Sequence, residues 1–159
     1  MIQRIQTIFL ALVVILSIIF SFLPTLVFSG DGESISVMGA YKTIAIFDGS
    51  EMVLMKNMGI GVMQGLIFLV ALVAIFLFKN RSSQMKLCKL NILFIALQIA
   101  AIVMYSDVAK EAINTNPEDV IVSFKFGSII PVISLILTYL AIHFIKKDDN
   151  LIRSADRLR

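Results

Sequence analysis

The sequence predicts an all-α membrane protein of four transmembrane helices in one domain, residues 1–159, and allows a small β-structure in its first outer loop. Three observations predict this class. Hydrophobic residues make up 58% of the 159, against about 45–50% in a soluble domain. The excess is gathered into four stretches without Asp, Glu, Lys or Arg: 5–30, 57–78, 90–106 and 126–145. The basic residues flank these stretches, and do so unevenly. A helix needs about 20 apolar residues to cross roughly 30 Å of hydrocarbon. Backbone in hydrocarbon must satisfy its own polar groups, which selects helices over open strands. Runs such as Leu66-Ile67-Phe68-Leu69-Val70-Ala71-Leu72-Val73 do not alternate as a barrel strand would.

The first span is expected over about 5–28. A secretory signal has an apolar core of roughly 7–15 residues; here the uncharged block covers 26 residues, from 5 to 30. A permanent span fits better than a cleaved one, although Val27-Phe28-Ser29 has the small residue of a poor cleavage site. Pro24 is expected to bend the outer end of this helix. The outer loop, 29–57, opens on turn chemistry at Ser29-Gly30-Asp31-Gly32. Period-two alternation at Ser34-Ile35-Ser36-Val37 and β-rich residues from Tyr41 to Phe47 then predict two or three short strands over the helix ends.

The second span is expected over about 58–78. It contains Gly61-x-x-x-Gly65, a spacing that lets backbones approach, within one chain or between two. A tight basic turn follows, with Ser82 or Ser83 as the N-cap of the third helix. That third span, about 87–106, is short by charge counting, and Lys86 and Lys89 extend it by reaching back to the headgroups. Asn116-Pro117-Glu118-Asp119 is a helix-start signal, so the fourth helix or a short surface helix is expected to begin ahead of the span at about 126–145. The tail is 146–159.

Ten basic residues lie on one side: Arg4, Lys79, Arg81, Lys86, Lys89, Lys146, Lys147, Arg153, Arg157 and Arg159. Four lie on the other: Lys42, Lys56, Lys110 and Lys125. The richer side reads as cytoplasmic, with both termini there and an acidic outer face. This anchoring also accounts for the net charge of +3 without nucleic acid.

Little in the chain carries chemistry. The single Cys, Cys88, excludes an intrachain disulfide, and no phosphate loop, catalytic triad or Cys/His cluster occurs. No catalytic residue, cofactor or metal is therefore expected, and an enzyme is not the reading. His143 is expected at the interface. Gln64, Asn91 and Gln98 lie inside spans, where amides seek partners on other helices. The tail has an apolar face at Leu151, Ile152, Ala155 and Leu158. Its Arg153, Asp156, Arg157 and Arg159 form a candidate interaction surface, for the protein's own inner loop or for a partner. A short amphipathic helix on the inner leaflet would present them.

The start MIQRIQT, the segment Gly127-Ser128-Ile129-Ile130-Pro131 and the end IKKDDNLIRSADRLR resemble a bacterial family of small four-span membrane proteins, a domain of unknown function, DUF4293. The resemblance covers the whole chain. It implies that the N-terminal span is kept, and it implies no activity. One departure is Asp148-Asp149, where that family usually carries Glu in its acidic pair. The function expected is that of an uncharacterised inner-membrane accessory or assembly protein docking through its cytoplasmic tail. The alternatives are a transporter or channel subunit working as a homo-oligomer, and a membrane enzyme or quinone-site protein built on Gln98, Asn91 and His143.

Overall fold

The computed structural model describes residues 3–29, 35–47, 50–78, 80–113 and 120–157, with side chains described except at 3, 4, 47 and 152–157. The element order is α1 (Gln3–Phe22), β1 (Leu26–Ser29), β2 (Ile35–Met38), β3 (Lys42–Phe47), β4 (Ser50–Lys56), α2 (Met58–Phe76), α3 (Arg81–Ile113), β5 (Ile121–Phe124) and α4 (Phe126–Arg157). All four helices are long and apolar enough to cross a membrane. They form a ring in which each helix packs on its sequence neighbours and α4 closes back on α1.

The strands correct the all-α expectation. They form one antiparallel sheet in the order β4-β3-β2-β1-β5, so the fold is mixed. Three strands fall in the first outer loop, where two or three were expected. The other two were hidden. β1 lies in the uncharged block read as the end of the first helix. Pro24 lacks an N–H and disfavours helix at the residue before it, so α1 stops at Phe22 rather than bending. Leu26, Val27 and Phe28 then pair with Met38, Val37 and Ser36 of β2. β5 overturns the early start of the fourth helix. Ile121-Val122-Ser123-Phe124 pairs with β1, Leu26 opposite Phe124, and α4 begins only at Phe126. Residues 114–119, which carry the helix-start signal, lie outside the described residues, as do 30–34.

The sheet caps one end of the bundle and joins the α1–α2 connection to the α3–α4 connection. Phe20, Leu26, Phe28, Met38, Ile60 and Ile130 are buried in one cluster shared by sheet and helices. A middle layer holds Val13, Ile67, Ala71 and Ile95. Near the opposite end, Leu10, Ala74, Cys88, Ala141 and Ile145 form the third layer.

Helix lengths differ in a way that matters. At 1.5 Å per residue, α1 and α2, with 20 and 19 residues, match roughly 30 Å of hydrocarbon. α3 and α4 have 33 and 32 residues and run to about 50 Å. The surplus of α3 lies beside the cap, where Ala109 is buried. The surplus of α4 is the tail, which continues the span as one helix through Arg157. The expected separate amphipathic helix is thus replaced by an extension. Asn80, not Ser82 or Ser83, caps α3: its Oδ1 accepts from Ser83 N at 3.2 Å.

Candidate functional site

The buried face of α3 carries Gln84, Cys88, Asn91, Ile95, Gln98 and Ile102. Alternate steps of four and three are the spacing of a packed seam. Every seventh residue, Gln84, Asn91 and Gln98, is an amide, so one amide recurs about every 10 Å along the helix axis. Gln98 Nε2 donates to Gln64 Oε1 at 2.6 Å. Gln64 Nε2 donates in turn to the Ser17 carbonyl at 2.8 Å. This relay ties α3 to α2 and α2 to α1 within the apolar interior. Gln84 Nε2 makes a similar bond to the Ala74 carbonyl at 3.0 Å.

Asn91 sits between the middle layer and the third layer, 1% exposed, and neither of its amide atoms has a partner among the described residues. His143 does not join these amides. It is exposed on the outside of α4, edge-on to Phe144 with ring centroids 5.8 Å apart. It shares a 410 Å³ surface concavity with Lys146, Lys147 and Asn150. The structure thus brings Gln64 and Gln98 together, leaves Asn91 alone in the core and turns His143 outward.

The relay has a measurable consequence. In Gln64→Leu, Gln98 Nε2 loses its acceptor and the Ser17 carbonyl loses its side-chain donor. The expected loss is about 1–2 kcal/mol, the scale of interhelical hydrogen bonds and of a stranded buried amide. Unfolding of the detergent-solubilised chain, followed by circular dichroism, checks this. An unchanged midpoint would mean that the relay does not hold the helices.

At the other end of the bundle lies a charge pair that the sequence reading did not single out. Arg81 Nη2 at the start of α3 and Asp148 Oδ2 on α4 are 3.0 Å apart, with side chains only 16% and 11% exposed. The two side chains meet as an ion pair, and among the described residues Asp148 Oδ2 has no further hydrogen-bond partner. Nearby, Gln6 Nε2 on α1 donates to the Phe144 carbonyl at 3.3 Å, and Phe9 stacks on Phe144 at 5.5 Å. The start of the tail is therefore seated on the start of α3 through Asp148. Leu151, 48% exposed, is the last described side chain. Arg153, Asp156 and Arg157 follow on the last turns of α4, their side chains outside the description, and Arg159 lies outside the described residues.

Two tyrosines and a buried Asn secure the cap. Asn57, fully buried, donates to the Gly39 carbonyl at 3.1 Å and to Thr43 Oγ1 at 2.9 Å. A Cβ on Gly61 would lie 2.5 Å from the Tyr41 ring, and one on Gly59 would lie 2.9 Å from Tyr105 Oη. Gly61 is thus small so that Tyr41 can lie over α2. Gly65, its partner in the G-x-x-x-G, has nothing within 4 Å of a Cβ position.

The sequence model of a family described as a domain of unknown function, DUF4293, matches residues 2–158. No curated protein matches the chain.

Proposed function

The chain belongs to the DUF4293 family, and from that premise we propose that it is a non-enzymatic accessory protein of a bacterial inner membrane, docking a partner through the end of α4. Both termini face the cytoplasm in this reading, supported by the ten-to-four division of basic residues.

The observation that carries the proposal is the continuity of α4. It leaves the bundle without a break and runs to Arg157, after being pinned at Asp148. An arm held in place has already lost much of its conformational freedom. Binding to it then costs less ordering entropy than binding to a free tail. The bonding of Gln64 and Gln98 to each other and to backbone supports a structural role for the span amides over a polar pathway.

The experiment scrambles residues 149–157 at constant composition and keeps Asp148, which belongs to the bundle. The scrambled chain should insert and unfold like the parent. It should lose the partner that a photo-crosslinking residue at position 153 captures from the native membrane. If the same partner is captured equally well, the arm contributes only charge, worth about 1 kcal/mol per basic residue near anionic lipid, and docking through it is wrong.

A further inference from the structure

On the opposite, cap-side half of the bundle, a surface groove lies between α1 and α2. Two adjoining cavities of 320 and 290 Å³ run along this groove and share Ser21, Phe22 and Tyr41. Each is near the lower limit of ligand pockets, about 300–1,000 Å³. The first passes over Gly65 and Phe68 between the two spans. The second ends at Lys42 in the sheet. Together they make an open slot from Gln64 and Phe68 on α2 to Lys42 in the sheet.

Three features build this slot. Gly65 keeps its floor open, because no atom occupies the space where a side chain would begin. Tyr41, seated against Gly61, roofs it, and Tyr41 Oη bonds Ser21 Oγ at 3.3 Å. Lys42 of β3 lines the mouth, and Lys56 of β4, which lines neither cavity, stands directly opposite it in the strand pair. Directly opposed residues have Cβ atoms about 4.5–5.5 Å apart, and like charges there repel. Neither lysine forms an ion pair among the described residues. A repelling cationic pair beside an apolar slot is stabilised by an anion attached to a hydrocarbon chain.

We propose that this slot binds one anionic phospholipid of the cap-side leaflet, with an acyl chain over Gly65 and the phosphate between Lys42 and Lys56. The hydroxyls of Ser21 and Tyr41 lie between those two ends, at the level of the ester groups. The surroundings of two membrane spans supply the chain, and the lysines select the charge. This inference is independent of the docking arm, which lies at the other end of the molecule.

The test uses the full chain in mild detergent, offered equal amounts of phosphatidylglycerol and phosphatidylcholine, with bound lipid counted by native mass spectrometry. The parent should retain phosphatidylglycerol preferentially. In Gly65→Leu the new side chain enters open space, so the fold is kept while the slot is filled. Retention should then fall about tenfold. In the double variant Lys42→Gln, Lys56→Gln the preference for phosphatidylglycerol should fall by at least about tenfold, since each lysine near an anionic headgroup is worth roughly fivefold. Circular dichroism confirms that each variant is folded. Equal retention by parent and Gly65→Leu would show only loosely associated lipid and overturn the site. A preference that survives loss of both lysines would overturn the assignment of the headgroup.

Discussion

Gly127→Ala is expected to destabilise the protein by about 2–3 kcal/mol, although alanine favours a helix over glycine by up to ~1 kcal/mol. Gly127 lies in the first turn of α4, where that turn crosses the end of α1. An added Cβ would press on the Pro24 carbonyl oxygen, would lie 2.8 Å from the Pro24 carbonyl carbon and would lie 3.1 Å from Thr25 Cα. All three are backbone atoms and cannot swing aside as a side chain can. They also belong to the knot of the cap. Gly127 N donates to the Pro24 carbonyl at 3.1 Å, Lys125 N to the Thr25 carbonyl at 3.0 Å and Thr25 N to the Met38 carbonyl at 2.8 Å. Moving Pro24-Thr25 outward loosens β1 from both β2 and β5, and the cap from the bundle. Gly65→Ala is the control, since its Cβ meets nothing and the helix gains propensity; it should be neutral or slightly stabilising. Thermal unfolding of the two variants in the same detergent checks the order. Gly127→Ala at or above the midpoint of Gly65→Ala would show that the crossing is not tight.

The four spans were legible because hydrocarbon imposes the same demand at every depth; three uncharged runs meet it outright, and the third along the chain, 90–106, meets it once the lysines at its start reach back to the headgroups. Gly127-Ser128-Ile129-Ile130-Pro131 was legible as a pattern, but its reason was not: glycine is needed against Pro24, more than a hundred positions away. β1 and β5 escaped for the same kind of reason. Each is four residues long; β5 is a strand because it pairs with β1, and β1 because it lies between β5 and β2. Periodicity reports local structure, whereas such pairing is decided by tertiary contact. The amides were identified one by one. The seven-residue spacing of Gln84, Asn91 and Gln98 was present in the sequence and would have placed all three on the buried seam. Gln84 was missed because it lies beside a basic turn and was counted with it. Arg81 enters the sequence analysis only as one of the ten basic residues and Asp148 only as part of an acidic pair, since nothing in either segment shows that the α4 extension folds against the start of α3.

That charge pair leads to the second large effect. Asp148→Asn should cost about 2–3 kcal/mol, below the 3–5 kcal/mol of a fully buried pair because both side chains keep a little water access. The loss comes from Arg81, left charged and largely desolvated without its counterion. Replacing both partners, Arg81→Met with Asp148→Leu, removes the stranded charge together with the pair. Apolar replacements of buried pairs are commonly neutral or stabilising, so the double variant should unfold close to the parent and well above Asp148→Asn. The two measurements separate stability from placement. If the pair serves to fix where α4 leaves the bundle, the stable double variant should still alter the arm. A pair of spin labels on Asn80 and Leu151 would report a broader distance distribution than in the parent, as an arm released from its anchor samples more directions. A double variant as unstable as Asp148→Asn would mean that the charges themselves hold the inner end together. A stable double variant with an unchanged distance distribution would mean that α4 is directed by Phe9, Phe144 and the apolar layer beneath them, with the ion pair a passenger.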